Sequence, residues 1–299
     1  MPAPIAPGQR LSEGRGFARR PVGNLNAVKT TIRALIVVAA LAALLVPAAP
    51  AASAAPAWAP AATAAIHPGV QTVTAGAQCT ANYVFYSGTT VYLGQAAHCS
   101  GTGAATETDG CDSASLPLGT PVDVGGVATG TLVYNSWLTM QAQGETNPDT
   151  CAYNDLALIQ LSPTDAARVN PSIPFFGGPT GVGGATALGD QVYSYGNSSL
   201  RFGLTQLSPK RGISLGSEAN GWTHTVYTLT PGIPGDSGSA FLNASGQAIG
   251  VLSTVAIAPL AASNGVGDIA HELAYLNSHT ALSVTLANGT EPFNAGRLT

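Results

Sequence analysis

Short β-prone runs separated by turn-forming residues are the pattern that most restricts how this chain can fold. Its 299 residues include 36 glycines and 21 prolines, which interrupt any long helix. Strands at such spacing, with almost no helical period between them, indicate an all-β sandwich or barrel. The predicted strands are residues 83–86, 90–93, 131–137, 156–161, 191–195, 226–229, 240–242 and 248–255.

Two further segments organise this β-rich region. Residues 162–184 contain four prolines and predict a connection, placed at 166–184, between β domains at 73–165 and 185–299. Near the C-terminus, residues 268–276 begin with Asp268 and carry apolar side chains at helical spacing. That pattern predicts a short C-terminal helix capped by Asp268.

The N-terminus has the pattern of an exported protein. Six basic side chains precede an apolar run of 13 residues at 34–46, which is shorter than the roughly 20 residues of a membrane span. Ala52-Ser53-Ala54 offers a small-residue cleavage site. We expect a signal peptide at 1–54 rather than a buried core helix, followed by an Ala/Pro-rich processing or linker segment at 55–72. Export through Arg19-Arg20 as a twin-arginine signal is an open alternative.

The charge of the exported part limits its partners. Without residues 1–54 the chain keeps five basic and fourteen acidic side chains, a formal net charge of −9. Nucleic acid and anionic membrane surfaces would repel such a protein. We therefore expect a secreted monomer that binds no nucleic acid and does not stay inserted in a membrane.

Four cysteines remain after removal of the signal peptide: Cys79, Cys99, Cys111 and Cys151. An even number in an oxidising compartment predicts disulfides, and the residues alone allow three pairings. A zinc site is the alternative, but no Cys-x-x-Cys pair is present. We expect neither a metal nor a cofactor.

Three short motifs carry the chemistry. A serine hydroxyl is a weak nucleophile unless an imidazole takes its proton and a carboxylate orients that imidazole. Each motif alone also fits a core histidine, a turn before a strand or a tight turn, but together they supply one residue of each type, 57 and 82 positions apart. The motifs are Ala96-Ala97-His98-Cys99, Asn154-Asp155-Leu156-Ala157-Leu158 and Gly235-Asp236-Ser237-Gly238-Ser239.

In these motifs and their order, residues 73–276 resemble the chymotrypsin-like serine endopeptidases, in particular secreted actinobacterial-type members. The resemblance implies two six-stranded antiparallel β-barrels with a short C-terminal helix. It implies that Ser237 is the nucleophile, His98 the general base and then acid, and Asp155 the carboxylate that fixes the imidazole. The N–H groups of Gly235 and Ser237 would form the oxyanion hole, where glycine gives the backbone unrestricted φ.

The same resemblance pairs Cys79 with Cys99, which leaves Cys111 with Cys151. It also places Pro231, Ser253 and Val255 at the specificity pocket. Because Pro231 stands where trypsin-like members carry an aspartate, and Val255 where many have glycine, we expect cleavage of polypeptides after small or medium apolar residues.

Activation departs from the family pattern. Zymogen relatives expose a new N-terminus, typically Ile-Val-Gly-Gly, whose ammonium pairs with the acid before the serine, here Asp236. The nearest candidate, Ile66-His67-Pro68-Gly69, matches weakly. Backbone or side-chain hydrogen bonds to Asp236 are the alternative.

Two other functions fit parts of the sequence. A catalytically inactive binding protein could share the fold. An α/β-hydrolase-type esterase would use Ser237, Asp268 and His271 or His279 in that order, but the Gly-x-Ser-x-Gly elbow and the alternating strands and helices are missing. His271-Glu272 also begins like a zinc-protease motif, but Tyr275 stands where the second histidine would be.

Overall fold

The computed structural model describes residues 55–104, 107–255 and 261–296. The predicted signal peptide at 1–54 therefore lies outside the described residues. Among the helices within these ranges, none has the length and apolar character needed to cross a membrane.

Antiparallel strands make up most of the described chain, as the all-β prediction requires. Numbered along the chain, the strands are β1 Gln71–Thr74, β2 Ala77–Thr80, β3 Val84–Ser87, β4 Thr90–Ala96, β5 Pro121–Val124, β6 Ala128–Asn135, β7 Leu156–Gln160, β8 Gln191–Tyr195, β9 Pro209–Glu218, β10 Thr223–Thr228, β11 Ala240–Asn243, β12 Ala248–Val255, β13 Asn264–Asp268 and β14 Thr285–Leu286. The helices are α1 Ser136–Gln143, α2 Pro148–Tyr153, α3 Pro163–Ala166 and α4 Ile269–His279, with 3₁₀ turns at Ala97–Ser100, Ser199–Arg201, Thr205–Leu207 and Ala219–Gly221.

The strands form two β structures. The second half of the chain builds a closed six-stranded barrel in the order β10-β13-β12-β11-β8-β9. The first half builds an eight-stranded sheet, β14-β3-β4-β7-β6-β5-β1-β2, in which β14 returns from the C-terminus to pair with β3. The fold is thus all-β, as expected, with one closed six-stranded barrel, and an eight-stranded sheet stands where a second six-stranded barrel was expected. The last strand nevertheless belongs to the first sheet, although the sequence assigned all of 185–299 to the second domain.

Alternation along the central strands places the site between the two halves. On β4 and β7, Tyr92, Leu156 and Leu158 pack into a cluster that also holds barrel side chains such as Leu242 and Val251. The intervening residues of the same strands pack into the interior of the first half. Because side chains of a strand alternate between faces, one face of the first sheet lies against the barrel. The three motifs follow or precede the strands at this boundary.

Both disulfides implied by the resemblance are present. Cys79 on β2 is bonded to Cys99 in the 3₁₀ turn Ala97–Ser100, and Cys111 is bonded to Cys151 on α2. The described residues include no free cysteine. The first bridge therefore joins β2 to the residue directly after His98.

The C-terminal helix is confirmed. Helix α4 starts at Ile269, and the side chain of Asp268 accepts a hydrogen bond from the backbone N–H of His271 (2.9 Å). Its buried face includes Ile269 and Leu276, which pack into the cluster between the two halves. An aspartate cap followed by apolar residues at helical spacing is thus enough to specify this element.

Candidate active site

His98 and Asp155 form a close pair. The Nδ1 atom of His98 lies 2.7 Å from Oδ2 of Asp155, and the backbone N–H of His98 donates to Oδ1 (2.9 Å). The N–H of Ala97 donates to the backbone carbonyl of Asp155 (2.8 Å), so the 3₁₀ turn and the start of β7 are fixed to each other. Asp155 is buried, whereas 27% of the His98 side chain is exposed and open to the cleft.

Ser253 completes the hydrogen bonds of this carboxylate. Its Oγ donates to Oδ2 of Asp155 (2.6 Å) from strand β12 of the barrel. The sequence placed Ser253 at the specificity pocket, and it does line the cleft. Its contact with Asp155 was missed, because residues 98 positions apart give no signal of contact in a single sequence.

The pKa of His98 reflects this pair. Burial by itself would lower the pKa, but the negative charge of Asp155 and the hydrogen bond with it raise the pKa above the ordinary value of 6.5. A raised pKa makes the neutral imidazole a stronger base, which gains a proton readily when one is offered. Such a group can act as a general base and then as a general acid.

Ser237 lies in the same cleft as His98 and Asp155. The cleft has a volume of about 680 Å³ and is also lined by Gly235, Ser253 and Val255. Ser237 follows β10 on the loop that leads into β11, and its side chain is partly exposed. The structure therefore brings all three predicted catalytic residues to one cleft.

Gly235 has the conformation that the sequence led us to expect. Its φ is +92°, and an added Cβ would lie 2.4 Å from Oε1 of Gln78. Within the described residues, the N–H groups of Gly235 and Ser237 donate to no protein acceptor. Two unused N–H groups beside the serine can stabilise a developing oxyanion.

Side chains from β2 hold this loop from the other half of the molecule. The carbonyl oxygen of Gly235 accepts hydrogen bonds from Thr80 Oγ1 (2.7 Å) and Gln78 Nε2 (3.0 Å). The backbone N–H of Thr80 donates to the carbonyl of Ser237 (2.8 Å). Neither side chain was singled out in the sequence, because both lie in a short strand with no motif of its own.

Asp236 is fully buried between two cations. Its Oδ2 lies 2.5 Å from Arg201 and 2.9 Å from Nζ of Lys210, and its Oδ1 accepts from the N–H of Ser198 (3.0 Å). Burial lowers the pKa of Lys210, while the charge of Asp236 acts in the opposite direction. Side chains of the chain itself therefore pair with Asp236, as one of the two sequence alternatives allowed.

The predicted pocket residues differ in their placement. Val255 lines the cleft and is 56% exposed. Pro231 does not line it, because its carbonyl oxygen faces Arg201 (3.1 Å) and Lys210 (3.3 Å) beneath the loop, and its neighbour Gly232 lines the cleft instead. The prediction that Pro231 lines the specificity pocket is therefore wrong, and Gly232 lines the cleft in its place.

Asn264 connects two walls of the pocket and was not found from the sequence. Its Oδ1 accepts from the N–H of Gly232 (2.8 Å), and its Nδ2 donates to the carbonyl of Thr254 (3.1 Å). The side chain is buried. A polar asparagine beside glycines in a strand gives no such signal in the sequence.

The competing catalytic residues lie elsewhere. Asp268 Oδ1 is bonded to His271 (2.8 Å) and its Oδ2 to His224 (2.9 Å), in a cluster that does not line the cleft of Ser237. The antiparallel architecture is also incompatible with an α/β-hydrolase. The esterase alternative is therefore wrong in its fold.

Two groups of three potential metal ligands occur among the described residues: Cys79 with His98 and Cys99, and Asp109 with Cys111 and Cys151. In both groups the cysteines are joined in disulfides. A disulfide sulfur is not a thiolate and does not serve as a zinc ligand. The donor sets are thus unsuited to a metal.

Comparisons with known proteins give matches in structure. No family model matches the sequence, and no curated protein matches it. Thermobifida fusca Protease A is 18% identical, with 75% of this chain and 99% of that chain covered and a TM-score of 0.49. A glutamic acid specific serine protease is 15% identical (74% and 100% covered, TM-score 0.47), and an alpha-lytic protease homolog is 16% identical (74% and 98%, TM-score 0.43). All three TM-scores lie below 0.5, so the description of the fold rests on the strand order and the site given above.

Proposed function

We propose that this chain is a secreted serine endopeptidase that hydrolyses polypeptides through an acyl-enzyme on Ser237. The observation that carries the proposal is the hydrogen bond of 2.7 Å between His98 and Asp155, in a cleft that Ser237 also lines. A buried carboxylate that holds one imidazole nitrogen leaves the other nitrogen free to serve a hydroxyl.

The proposed reaction has an acylation half and a deacylation half, and His98 acts as base and then as acid in each. Ser237 Oγ attacks the peptide carbonyl while its proton passes to Nε2 of His98, and the oxyanion is held by the N–H groups of Gly235 and Ser237. The C–N bond then breaks as Nε2 returns the proton to the amine. Water attacks the ester with His98 again as base, which releases the acid and restores Ser237.

A single labelling experiment tests this function. The protein is treated with an organophosphonate serine reagent, and the adduct is located by mass spectrometry. We expect one adduct on Ser237 and none in Ser237→Ala. If the residues act as a unit, kcat for peptide hydrolysis should fall by about 10⁶-fold in His98→Ala. A folded wild-type protein that stays unlabelled would instead favour the inactive binding protein.

Secretion is part of the proposal. Two disulfides among the described residues fit an oxidising compartment outside the cell. N-terminal sequencing of the protein from the culture medium tests the expected cleavage after Ala54. Recovery of the protein with residues 1–54 still attached would contradict it.

We propose small or medium apolar residues at the position before the cleaved bond. Among the residues that line the cleft, Val255 is branched and apolar, Gly232 and Asn264 carry no charge, and Glu107 carries a carboxylate. A peptide library tests the preference. Strong turnover after arginine or lysine would contradict it, and Val255→Gly should shift the preference toward larger apolar residues.

A further inference from the structure

Glu272 is a buried carboxyl directly behind the His98–Asp155 pair. It lies in the first turn of α4 and is 0% exposed. Acidic side chains are seldom fully buried unless they are paired. The proposed reaction gives this carboxyl no role, so its burial needs another explanation.

One oxygen of Glu272 contacts the backbone of Asp155, the carboxylate proposed to orient His98. Its Oε1 accepts a hydrogen bond from the N–H of Asp155 (2.8 Å). The carbonyl of Asp155 is already bonded to Ala97, and its carboxylate to His98 and Ser253. With the bond to Glu272, the N–H, the carbonyl and the carboxylate of Asp155 all have hydrogen-bond partners.

The start of α4 is itself rigidly attached to the barrel. Asp268, which caps the helix, bonds to His224 on β10 through Oδ2 (2.9 Å) and to His271 through Oδ1 (2.8 Å). His224 is fully buried and also lies 3.1 Å from the carbonyl of Ile249 through Nε2. The helical turn that carries Glu272 is thus held in place relative to the barrel.

The surroundings of Glu272 favour its uncharged form. Burial raises its pKa well above the ordinary value of 4.5, and although the hydrogen bond from Asp155 lowers the pKa, the charges of Asp155 and Asp268 raise it further. The other ionisable groups near it, Tyr83 and Tyr134, are buried phenols whose own pKa values burial raises. A neutral carboxyl can accept the N–H of Asp155 without placing a second negative charge behind the pair.

The chain makes space for this side chain. At Gly267 on β13, an added Cβ would lie 2.6 Å from Oε1 of Glu272 and 2.9 Å from the carbonyl oxygen of Tyr153. Tyr153 lies two residues before Asp155. A larger residue at 267 would therefore displace either the carboxyl or the segment that it holds.

We propose that Glu272 is a positioning residue, which holds the backbone of Asp155 so that its carboxylate faces Nδ1 of His98. The inference rests on the proposed function, because the position of Asp155 matters for catalysis only if His98 is the base. Glu272 touches no substrate and acts through Asp155 alone.

Glu272→Gln and Glu272→Met form the matched pair that tests this role. Glutamine keeps an oxygen that can accept the N–H of Asp155, whereas methionine keeps the length but has no comparable acceptor. We expect Glu272→Gln to retain kcat within about threefold and Glu272→Met to lose about tenfold to a hundredfold in kcat with KM unchanged, since small misplacements of catalytic groups carry costs of this order. Wild-type kcat in Glu272→Met would overturn the proposal.

Proton NMR of the His98 Nδ1–H provides a readout that does not depend on turnover. We expect its resonance and the titration of His98 to be the same in wild type and Glu272→Gln, and to shift in Glu272→Met. An unchanged resonance together with a lower Tm would show that Glu272 is only structural, which overturns the inference. If wild type is unlabelled by the serine reagent but the resonance shifts as expected, the proposed function fails and the positioning of Asp155 stands.

A second variant covers the case in which Glu272→Met does not fold. Gly267→Ala leaves the carboxyl in the chain, and its added Cβ displaces either that carboxyl or the segment of Tyr153 that the carboxyl holds. The same fall in kcat and the same shift of the His98 resonance support the proposal. Wild-type values of both in folded Gly267→Ala overturn it.

Discussion

Asp155 illustrates at the residue scale how much of this site comes from contacts distant in the chain. Only its pairing with His98 follows from the motifs. The hydroxyl of Ser253 and the carboxyl of Glu272 reach it from β12 and α4, 98 and 117 positions away. Motif residues could be predicted because their order and spacing are specific, whereas these supporting residues depend on the completed fold.

The pH dependence of the proposed reaction follows from the His98 pair. Activity needs the neutral imidazole, so it is lost as the pH falls through a pKa that lies above 6.5. In Asp155→Asn the charge is gone and burial remains, so the pKa should fall and the acidic limb should move to lower pH. The plateau rate should drop on the order of 10⁴-fold. The rate of labelling by the serine reagent against pH measures both effects, and an unmoved limb would contradict the assignment.

Removing the buried anion Asp236 should destabilise the fold more than removing one of its two cations. Asp236→Asn leaves Arg201 and Lys210 buried without a counter-charge, and we expect a loss of about 3–5 kcal/mol in the free energy of unfolding. Lys210→Met leaves the pair of Asp236 with Arg201 intact, so it should cost clearly less. Urea denaturation of the two variants checks the order. Equal losses would mean that Arg201 alone does not neutralise Asp236.

At the scale of elements, strands with apolar alternation were predictable and strands rich in glycine or polar residues were not. The predictions for β4, β7, β8 and β12 lie close to the observed bounds. Others were missed, notably β9, where Pro209–Glu218 reads as a loop and becomes a strand only because β8 and β10 pair with it on both sides. Helix α1 replaces the end of a predicted strand because Asn135 accepts from the N–H groups of Trp137 and Leu138 and caps a helix.

The two disulfides should differ in their effect on function. Cys79–Cys99 holds the turn that carries His98, whereas Cys111–Cys151 joins a loop to α2. Each bridge is expected to contribute about 2–4 kcal/mol to the free energy of unfolding. The double variant Cys79→Ser/Cys99→Ser should therefore lose labelling rate as well as stability, and Cys111→Ser/Cys151→Ser mainly stability. Thermal unfolding and labelling kinetics of the folded fraction separate the two effects.

At the scale of the whole molecule, each half contacts the proposed catalytic groups of the other. Side chains of β2 hold the loop of Gly235, while Ser253 and Glu272 of the second half hold Asp155 in the first. Tyr83 adds a polar contact inside the apolar interface, with its hydroxyl 2.6 Å from the carbonyl of Phe241 and 2.9 Å from that of Gly250. The motifs predicted that His98 and Asp155 lie in the first half and Ser237 in the second. They did not predict the contacts between the halves.

Tyr83→Phe tests the contribution of that interface. The change leaves two buried carbonyls with one partner fewer, and we expect a loss of about 1–2 kcal/mol in the free energy of unfolding. Tyr86→Phe, three residues further along on β3, is the matched control and should be nearly neutral, since Tyr86 is partly exposed. Urea unfolding measures both, and equal effects would contradict a specific role for Tyr83.

The internal counter-charges of Asp236 bear on when the proposed protease becomes active. Arg201 and Lys210 pair with Asp236 inside the folded chain, so this carboxylate has its counter-charges without a newly freed N-terminal ammonium group. In such a chain the loop that carries Gly235 and Ser237 takes its conformation without any cleavage that supplies a partner for Asp236. Protection of the producing cell would then depend on where the chain folds.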